Sequence, residues 1–202
     1  MPRIRAETIA EHRALTRSQV LEAAKELIAD LGSAEITLGE IASAVGIGRT
    51  TLYEYFADRD DVIASLVEDQ LPGVVRELIA SVPEGLTAPE HLVEVAQRTI
   101  RFVATDRVLG VILHRGAGSL TPSAQQRIRT AHVDLLAEVA EVYDRGVEEG
   151  TLRDIPVSLA GRFFQDAVMS AARAVIASPD PDTDLDEILA ALRTFLLHGL
   201  SH

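Results

Sequence analysis

The side chains best suited to bind another molecule are concentrated in residues 37–56, which have the sequence TLGEIASAVGIGRTTLYEYF. Hydroxyl groups and one guanidinium group follow Gly46 in this segment. Such groups donate hydrogen bonds, and proteins use donors of this kind to contact the phosphates and base edges of nucleic acids. The segment therefore has the chemistry to bind nucleic acid, provided that the fold exposes it.

The same segment has the pattern that a pair of helices meeting near a right angle requires. Ala42 is small enough for two backbones to approach, and Gly46 can take the left-handed conformation at the turn. Such a pair lets its second helix enter a DNA major groove about 12 Å wide. The pattern is only moderately specific, so a helical protein-interaction module without DNA binding remains an alternative. The apolar side chains that would hold the angle are Ile41, Val45, Ile47 and Leu52.

Helical periodicity runs through the rest of the chain, without the apolar–polar alternation of strands. The sequence predicts an all-α protein of about nine helices. A capping box at residues 16–19 is expected to open the first clear helix, over residues 18–31. A second capping box, at residues 37–40, begins the next helix, and Asp58 caps a longer one to about residue 79.

Charge is distributed unevenly along the 202 residues, whose net charge is −12. Residues 57–202 carry 13 basic against 23 acidic side chains, whereas residues 1–56 carry 6 against 8. The acidic part would be repelled by phosphate. Binding to DNA therefore depends on a few placed groups in the N-terminal part.

Motifs of the common enzyme classes are missing from the sequence. It has no P-loop, no H-E-x-x-H and no G-x-S-x-G, and the chain has no cysteine for disulfides or zinc–thiolate sites. No apolar run approaches the roughly 18 residues of a membrane span. We expect a cytoplasmic protein that is not an enzyme and that uses no cofactor, metal or membrane.

Residues 17–70 resemble, in register, the DNA-binding domain of TetR (tetracycline-repressor) family transcriptional regulators. The matching segments are LEAAKELIADLG, ITLGEIASAVGIGRTTLYEYF and ADRDDVIASLV. The Leu-Tyr-x-x-Phe run that ends at Phe56 is the most diagnostic part, whereas the remainder of the chain matches only in helix count and in a closing apolar helix. The resemblance implies a homodimeric transcriptional repressor that a small-molecule effector releases from a palindromic operator in double-stranded DNA.

The resemblance also implies three parts of the chain. Residues 1–56 would form an N-terminal arm and a three-helix helix-turn-helix domain, and residues 57–80 a connecting helix. Residues 81–202 would form a helical ligand-binding and dimerisation domain. A segment with two prolines and a glycine, at residues 81–89, separates the second part from the third.

The residues that the resemblance places on DNA lie mostly on the second short helix. Arg49 is the first candidate for base recognition, because a guanidinium group matches the O6 and N7 atoms of guanine. Many family members have histidine at the position of Tyr55, and Glu54 brings a negative charge close to the DNA. The implied DNA-binding residues are Arg17, Thr37, Ile47, Gly48, Arg49, Thr50, Thr51, Tyr53, Tyr55 and Arg59.

Three arginines precede the domain, at Arg3, Arg5 and Arg13. An arm that carries arginines can enter a narrow minor groove. A disordered tail is the alternative, and the sequence does not decide between them.

One short recognition helix contacts few bases, so we expect a two-fold dimer on a palindromic site. The last two helices are apolar around much of their circumference and could form a four-helix bundle across the dimer. Packing of one of these faces within the monomer is the alternative. The residues assigned to the dimer interface are Phe164, Ala167, Ala171, Leu189, Leu192, Phe195 and Leu196.

Polar and aromatic side chains interrupt the apolar faces of the C-terminal part, as they do in ligand pockets. His132 is the first candidate, because a histidine within an apolar stripe needs a partner. Each of these residues could instead belong to the core or the surface. The residues assigned to an effector pocket are Phe102, His114, His132, Tyr143, Phe163, Gln165 and Met169.

Overall fold

The computed structural model describes the backbone of residues 2–113 and 117–200, and the side chains of 8–106, 108–113, 118–180 and 184–200. Within these ranges the chain forms ten α-helices and no strand, which confirms the all-α prediction. The helices are α1 (Pro2–Leu31), α2 (Leu38–Val45), α3 (Arg49–Leu52), α4 (Arg59–Ala80), α5 (Ala88–Thr105), α6 (Arg107–Val111), α7 (Pro122–Ala131), α8 (Val133–Glu148), α9 (Val157–Ala177) and α10 (Pro181–Leu200).

The first helix begins far earlier than expected, and the capping box at residues 16–19 is wrong. Thr16 lies inside α1, where its hydroxyl donates to the carbonyl oxygen of His12 at 2.9 Å and its side chain is buried. A hydroxyl satisfied in this way no longer caps a helix start. A helix is about 10–12 Å across, so α1 is too wide to enter a minor groove about 6 Å wide. Arg13 therefore lies neither on an arm that enters the minor groove nor on a disordered tail, so both alternatives are wrong for this residue.

The second capping box is confirmed at the start of α2. The Thr37 side chain accepts from the Glu40 N–H at 3.2 Å, and the Glu40 carboxylate accepts from the Thr37 N–H at 2.7 Å. At the other end, Gly46 has φ of +76°, the left-handed conformation predicted for the turn. Local sequence therefore determines both ends of α2.

The apolar periodicity of residues 122–149 predicts one long helix, but the structure has two helices there, α7 and α8. His132 interrupts the helical conformation with φ −93° and ψ 0°, although the apolar periodicity runs on across it. This break accounts for a tenth helix where about nine were expected.

Two apolar cores organise the molecule. The first joins α1, α2 and α3 to most of α4, together with α6 and α7, while the second joins α5, α8, α9 and α10. Leu66 and Val67 of α4 belong to the first core and Leu78 to the second. Helix α4, which corresponds to the predicted connecting helix, therefore contributes buried residues to both cores.

The second core contains one very close helix approach, at Gly146 of α8. A Cβ atom placed there would lie 2.7 Å from the Cβ of Ala88 and 2.5 Å from the Leu152 side chain. Only glycine allows α8 and the start of α5 to come this close.

Candidate DNA interface and effector cavity

One face of the recognition helix α3 is buried in the first core, and the opposite face is exposed. Leu52 and Phe56 are 0% and 2% exposed and pack against α1, α2 and α4, and burial was the prediction for Leu52. Arg49, Thr50 and Thr51 are exposed on the opposite side. The turn at Gly46 thus gives α3 one anchored face and one hydrogen-bonding face.

The structure brings the ten residues assigned to DNA to one end of the molecule, in and around α1 to α3. Among them, Ile47, Tyr55 and Arg59 are half-buried. The exposed ones are Arg17, Thr37, Gly48, Arg49, Thr50, Thr51 and Tyr53.

The hydroxyl of Thr37 is already used within the protein. It donates to the Glu40 carboxylate at 2.7 Å and accepts from the Glu40 N–H. The side-chain hydrogen bond from Thr37 lowers the pKa of Glu40, so the carboxylate remains charged. Thr37 is therefore primarily the cap of α2, and a phosphate would have to compete with Glu40 for its proton.

The guanidinium group of Arg59 is directed toward its neighbour. Its Nε and Nη2 atoms donate to one oxygen of Asp60 at 2.9 and 2.7 Å. Two of the five N–H groups are thus occupied, and the carboxylate offsets the positive charge that would attract phosphate.

Arg13 is a residue of this surface that the sequence placed in a separate arm. Its Nη2 atom donates to the carbonyl oxygen of Glu54 at 3.2 Å, and its guanidinium carbon lies 5.1 Å from the centre of the Tyr55 ring. Arg17, four residues later, stacks over Phe56 at 5.2 Å. The spacing of four residues between the two arginines was the available signal, because it puts them on one side of a continuous helix.

A cavity of about 660 Å³ lies among α4, α5, α7, α8 and α9. Its volume falls within the range of ligand pockets, about 300–1,000 Å³. Five of the seven predicted pocket residues line it, namely Phe102, His132, Tyr143, Gln165 and Met169.

The prediction for Phe163 is wrong, because α9 turns this side chain outward, where it is 48% exposed. His114 lies outside the described residues. One wall of the cavity was not predicted from the sequence, namely the α4 wall formed by Leu71, Val74, Val75 and Leu78. All the candidate pocket residues lie after residues 81–89, whereas α4 precedes that segment.

His132 has the partner that its apolar surroundings required. Its Nδ1 atom lies 2.8 Å from the carbonyl oxygen of Ile128, and burial lowers the pKa of the ring, partly offset by this hydrogen bond. In the neutral ring Nδ1–H donates to Ile128, which leaves Nε2 as an acceptor. His132 can therefore offer a lone pair to a ligand that carries a donor.

Tyr143 contributes its ring to the cavity and uses its hydroxyl elsewhere. The hydroxyl oxygen lies 2.7 and 2.8 Å from the carbonyl oxygens of Arg153 and Ile155, and it accepts from the Ile155 N–H at 2.9 Å. The hydroxyl thus fixes the segment between α8 and α9. Only the ring of Tyr143 is left to contact a ligand, and that contact is apolar.

Most residues assigned to the dimer interface are covered within the single chain. Leu189, Leu192 and Leu196 are 2%, 5% and 3% exposed in the second core, and Phe164 and Ala171 are also buried. The prediction is therefore wrong for these five, and the alternative of packing within the monomer holds for them. Ala167 is half-buried, and only Phe195, at 62% exposed, faces outward.

Comparison with known families matches both parts of the chain. Residues 20–66 match the model of bacterial regulatory proteins of the tetR family, and residues 85–173 match a tetracyclin repressor-like C-terminal domain. The chain belongs to the TetR family. It is a DNA-binding transcriptional regulator with a helix-turn-helix.

Individual relatives extend over most of the chain. The HTH-type transcriptional repressor KstR2 of Rhodococcus jostii is 27% identical over 92% of this chain and 91% of its own length. The fatty acid metabolism regulator protein of Bacillus subtilis is 23% identical over 67% of this chain and 70% of its own. The fold is similar to that of the regulator FadR from Bacillus subtilis in complex with stearoyl-CoA, with a TM-score of 0.74, 21% identity and coverage of 90% and 98%.

Two other kinds of site were sought in the described part of the chain. No helix there is both long and apolar enough to cross a membrane. The described side chains also form no group of three or more histidine and carboxylate residues that could hold a metal ion.

Proposed function

We propose that the chain is a homodimeric repressor that binds a palindromic operator through α3 and leaves it when a hydrophobic effector enters the cavity. The observation that carries this proposal is the position of α4. This helix begins three residues after Phe56 and forms one wall of the cavity about 660 Å³ in size. An occupant of the cavity therefore contacts the helix that carries the DNA-binding domain.

On the DNA side, we assign base recognition to Arg49 and phosphate binding to the hydroxyl groups around it. Arg49, Thr50 and Thr51 are exposed together on α3. Arg13 and Arg17 stand beside the end of α3 and would contact the flanking backbone. The acidic body, with 13 basic against 23 acidic side chains in residues 57–202, favours approach by this end alone.

The dimer would form through the outer faces of α9 and α10, opposite the faces buried in the monomer. On α9 this outer face includes exposed Leu159 and Phe163, and on α10 it includes exposed Ala191 and Phe195. Two such helices from each protomer would make a four-helix bundle. The bundle would place the recognition helices about 34–36 Å apart, one turn of DNA.

The effector is assigned from the lining of the cavity and from the relatives. Most lining residues are apolar, with a few polar groups such as Thr99, Gln125, Gln165 and His132. The names of the relatives refer to fatty acid and ketosteroid regulation. We therefore infer an elongated apolar molecule with a polar group, and a regulator of this kind would act in the cytoplasm.

The experiment begins with selection of binding sequences from random double-stranded DNA by the full-length protein. A palindrome is expected, and footprinting on it defines the operator. Stearoyl-CoA, stearate and a ketosteroid are then titrated into the protein–operator complex. At least one is expected to weaken operator binding by about fivefold or more.

Two variants of one helix show whether the cavity is responsible. Ala140 lines the cavity, whereas Ala137 lies on the exposed side of α8. Ala140→Phe fills the cavity and is expected to abolish the response, while Ala137→Phe retains it. Enrichment of no sequence would refute DNA recognition by this chain, and an operator affinity that none of the three compounds changes would refute the hydrophobic effector.

A further inference from the structure

We propose that Arg127 of α7 is the positioning residue through which α7 controls the orientation of the helix-turn-helix domain. The proposal rests on the proposed function in that α7 also forms a wall of the effector cavity. Arg127 itself is neither among the residues assigned to DNA nor among those that line the cavity.

Arg127 joins α7 to α4 with its whole guanidinium group. Nη1 donates to Asp61 at 2.6 Å, Nη2 donates to Ser65 at 2.8 Å, and Nε and Nη2 donate to the two oxygens of Glu68 at 2.8 and 2.6 Å. The three partners lie on successive turns of α4, so the planar fork fixes both the distance and the rotation between the helices.

Asp61 continues this connection to the DNA-binding domain. While its Oδ1 atom accepts from Arg127, its Oδ2 atom accepts from the N–H of Ala57 at 2.9 Å. Ala57 directly follows Phe56, the buried aromatic residue that closes the helix-turn-helix core. The Asp61 carboxylate therefore accepts from Arg127 of α7 with one oxygen and from Ala57, which follows the recognition helix, with the other.

A second contact lies beside the first. The N–H of Thr121, which immediately precedes α7, donates to Oδ2 of Asp60 at 2.7 Å, and Oδ1 of Asp60 accepts from Arg59. Asp60 is only 8% exposed. Through Asp60, the start of α7 is thus connected to Arg59, a residue assigned to DNA. A movement of Arg59 would therefore affect Asp60.

The other side of α7 faces the cavity. Gln125, Ile128 and Arg129 are lining residues, and Arg127 lies between two of them in sequence. Hydrogen bonds lengthened by about 1 Å are largely lost. A ligand that displaces α7 would therefore loosen Asp61 and Asp60 together, and the domain that they hold would change its preferred orientation.

Amide hydrogen exchange tests this coupling without an identified effector, because coupling between sites is reciprocal. Exchange in residues 122–131 is measured for the free full-length protein and for its complex with the selected operator. In the wild type we expect the operator to slow this exchange about fivefold or more. In Arg127→Met we expect this effect to disappear although the operator is still bound.

Arg76→Met is the matched control, because Arg76 is an exposed arginine of α4 away from the connection. It should retain the full effect, and Arg127→Lys, which keeps a charge for Asp61 or Glu68, should recover part of it. If Arg127→Met is unfolded at the assay temperature, Asp61→Asn replaces it with the same expected loss, because an amide has one acceptor oxygen and cannot accept from both Arg127 and Ala57 as the two carboxylate oxygens do. An undiminished operator effect in the folded variant would overturn the proposal, whereas failure to select any operator would count against the proposed function instead.

Discussion

Arg49 shows how much of the DNA-binding surface depends on a single side chain. It is the only basic residue between residues 26 and 58, and it lies exposed on α3. The neighbouring Glu54 and the acidic body add no attraction for DNA. We therefore expect sequence specificity to depend on Arg49 more than it would in a basic domain.

Replacement of Arg49 by alanine is expected to weaken operator binding by about 1–3 kcal/mol and to relax specificity at one base pair. Arg49→Lys should restore little, because a lysine cannot make the two parallel hydrogen bonds to guanine. Fluorescence anisotropy with the selected operator and with single-base variants measures both effects. Arg145→Ala, on the exposed side of α8, is the control, and equal losses in the two variants would contradict the assignment.

A second prediction at the residue scale concerns His132 and pH. Burial lowers the pKa of its ring from 6.5, so the unfolded chain takes up this proton at a higher pH than the folded chain. The free energy of unfolding should therefore fall as the pH drops below about 6.5. Urea unfolding at pH 7.5 and 5.5 should show a smaller loss for His132→Asn than for the wild type, and identical losses would refute this contribution.

At the scale of the helices, Gly146 sets the distance between α8 and α5. Gly146→Ala is expected to lower the free energy of unfolding by about 1–3 kcal/mol, because the new methyl group overlaps Ala88 and Leu152. The matched control is Gly73→Ala in α4, where the added Cβ meets no atom within 4 Å. That variant should be stabilised by up to about 1 kcal/mol. Equal effects in thermal unfolding would show that α8 and α5 can separate at no cost.

The helices also show which features the sequence could predict. The ends of α2 and the turn at Gly46 depend on residues three or four positions apart, so the local sequence was sufficient. The break at His132 left no trace in the apolar periodicity, because α7 and α8 both bury their apolar sides. The arginine connection between α7 and α4 depends on residues about 60 positions apart, as with Arg127 and Glu68, and no local pattern indicates it.

The dimer faces were mispredicted for a related physical reason. Both α9 and α10 are apolar on more than one side, and periodicity shows which residues share a face without showing what covers that face. In the structure α5 packs against the buried leucines of α10, including Leu192. The exposed faces include Leu159 and Phe163 on α9 and Ala191 and Phe195 on α10, together with charged residues such as Asp166 and Arg193, so they are less apolar than the buried faces.

At the scale of the whole molecule, the exposed Phe195 should decide the oligomeric state. Phe195→Glu places a charge at the centre of the proposed bundle and is expected to give a monomer at micromolar concentration, since unpaired buried charges are costly. Sedimentation velocity measures the mass, and operator affinity should fall with it. Leu192→Ala serves as a contrast: it should lower stability without dissociating the dimer. A dimeric Phe195→Glu protein would contradict the interface.

Helix α4 both lines the cavity and packs against the DNA-binding domain, and this arrangement has a genetic consequence. Substitutions on the cavity side of α4, for example at Leu71 or Val75, alter the packing of this helix. The first turn of the same helix holds the helix-turn-helix domain, through the hydrogen bond between Asp61 and Ala57. In a screen for lost repression, alleles should therefore accumulate on this helix although its side chains never meet a base. These alleles should behave as if the effector were always present, whereas alleles that no longer respond to the effector should appear on the same helix in the opposite screen, for lost induction.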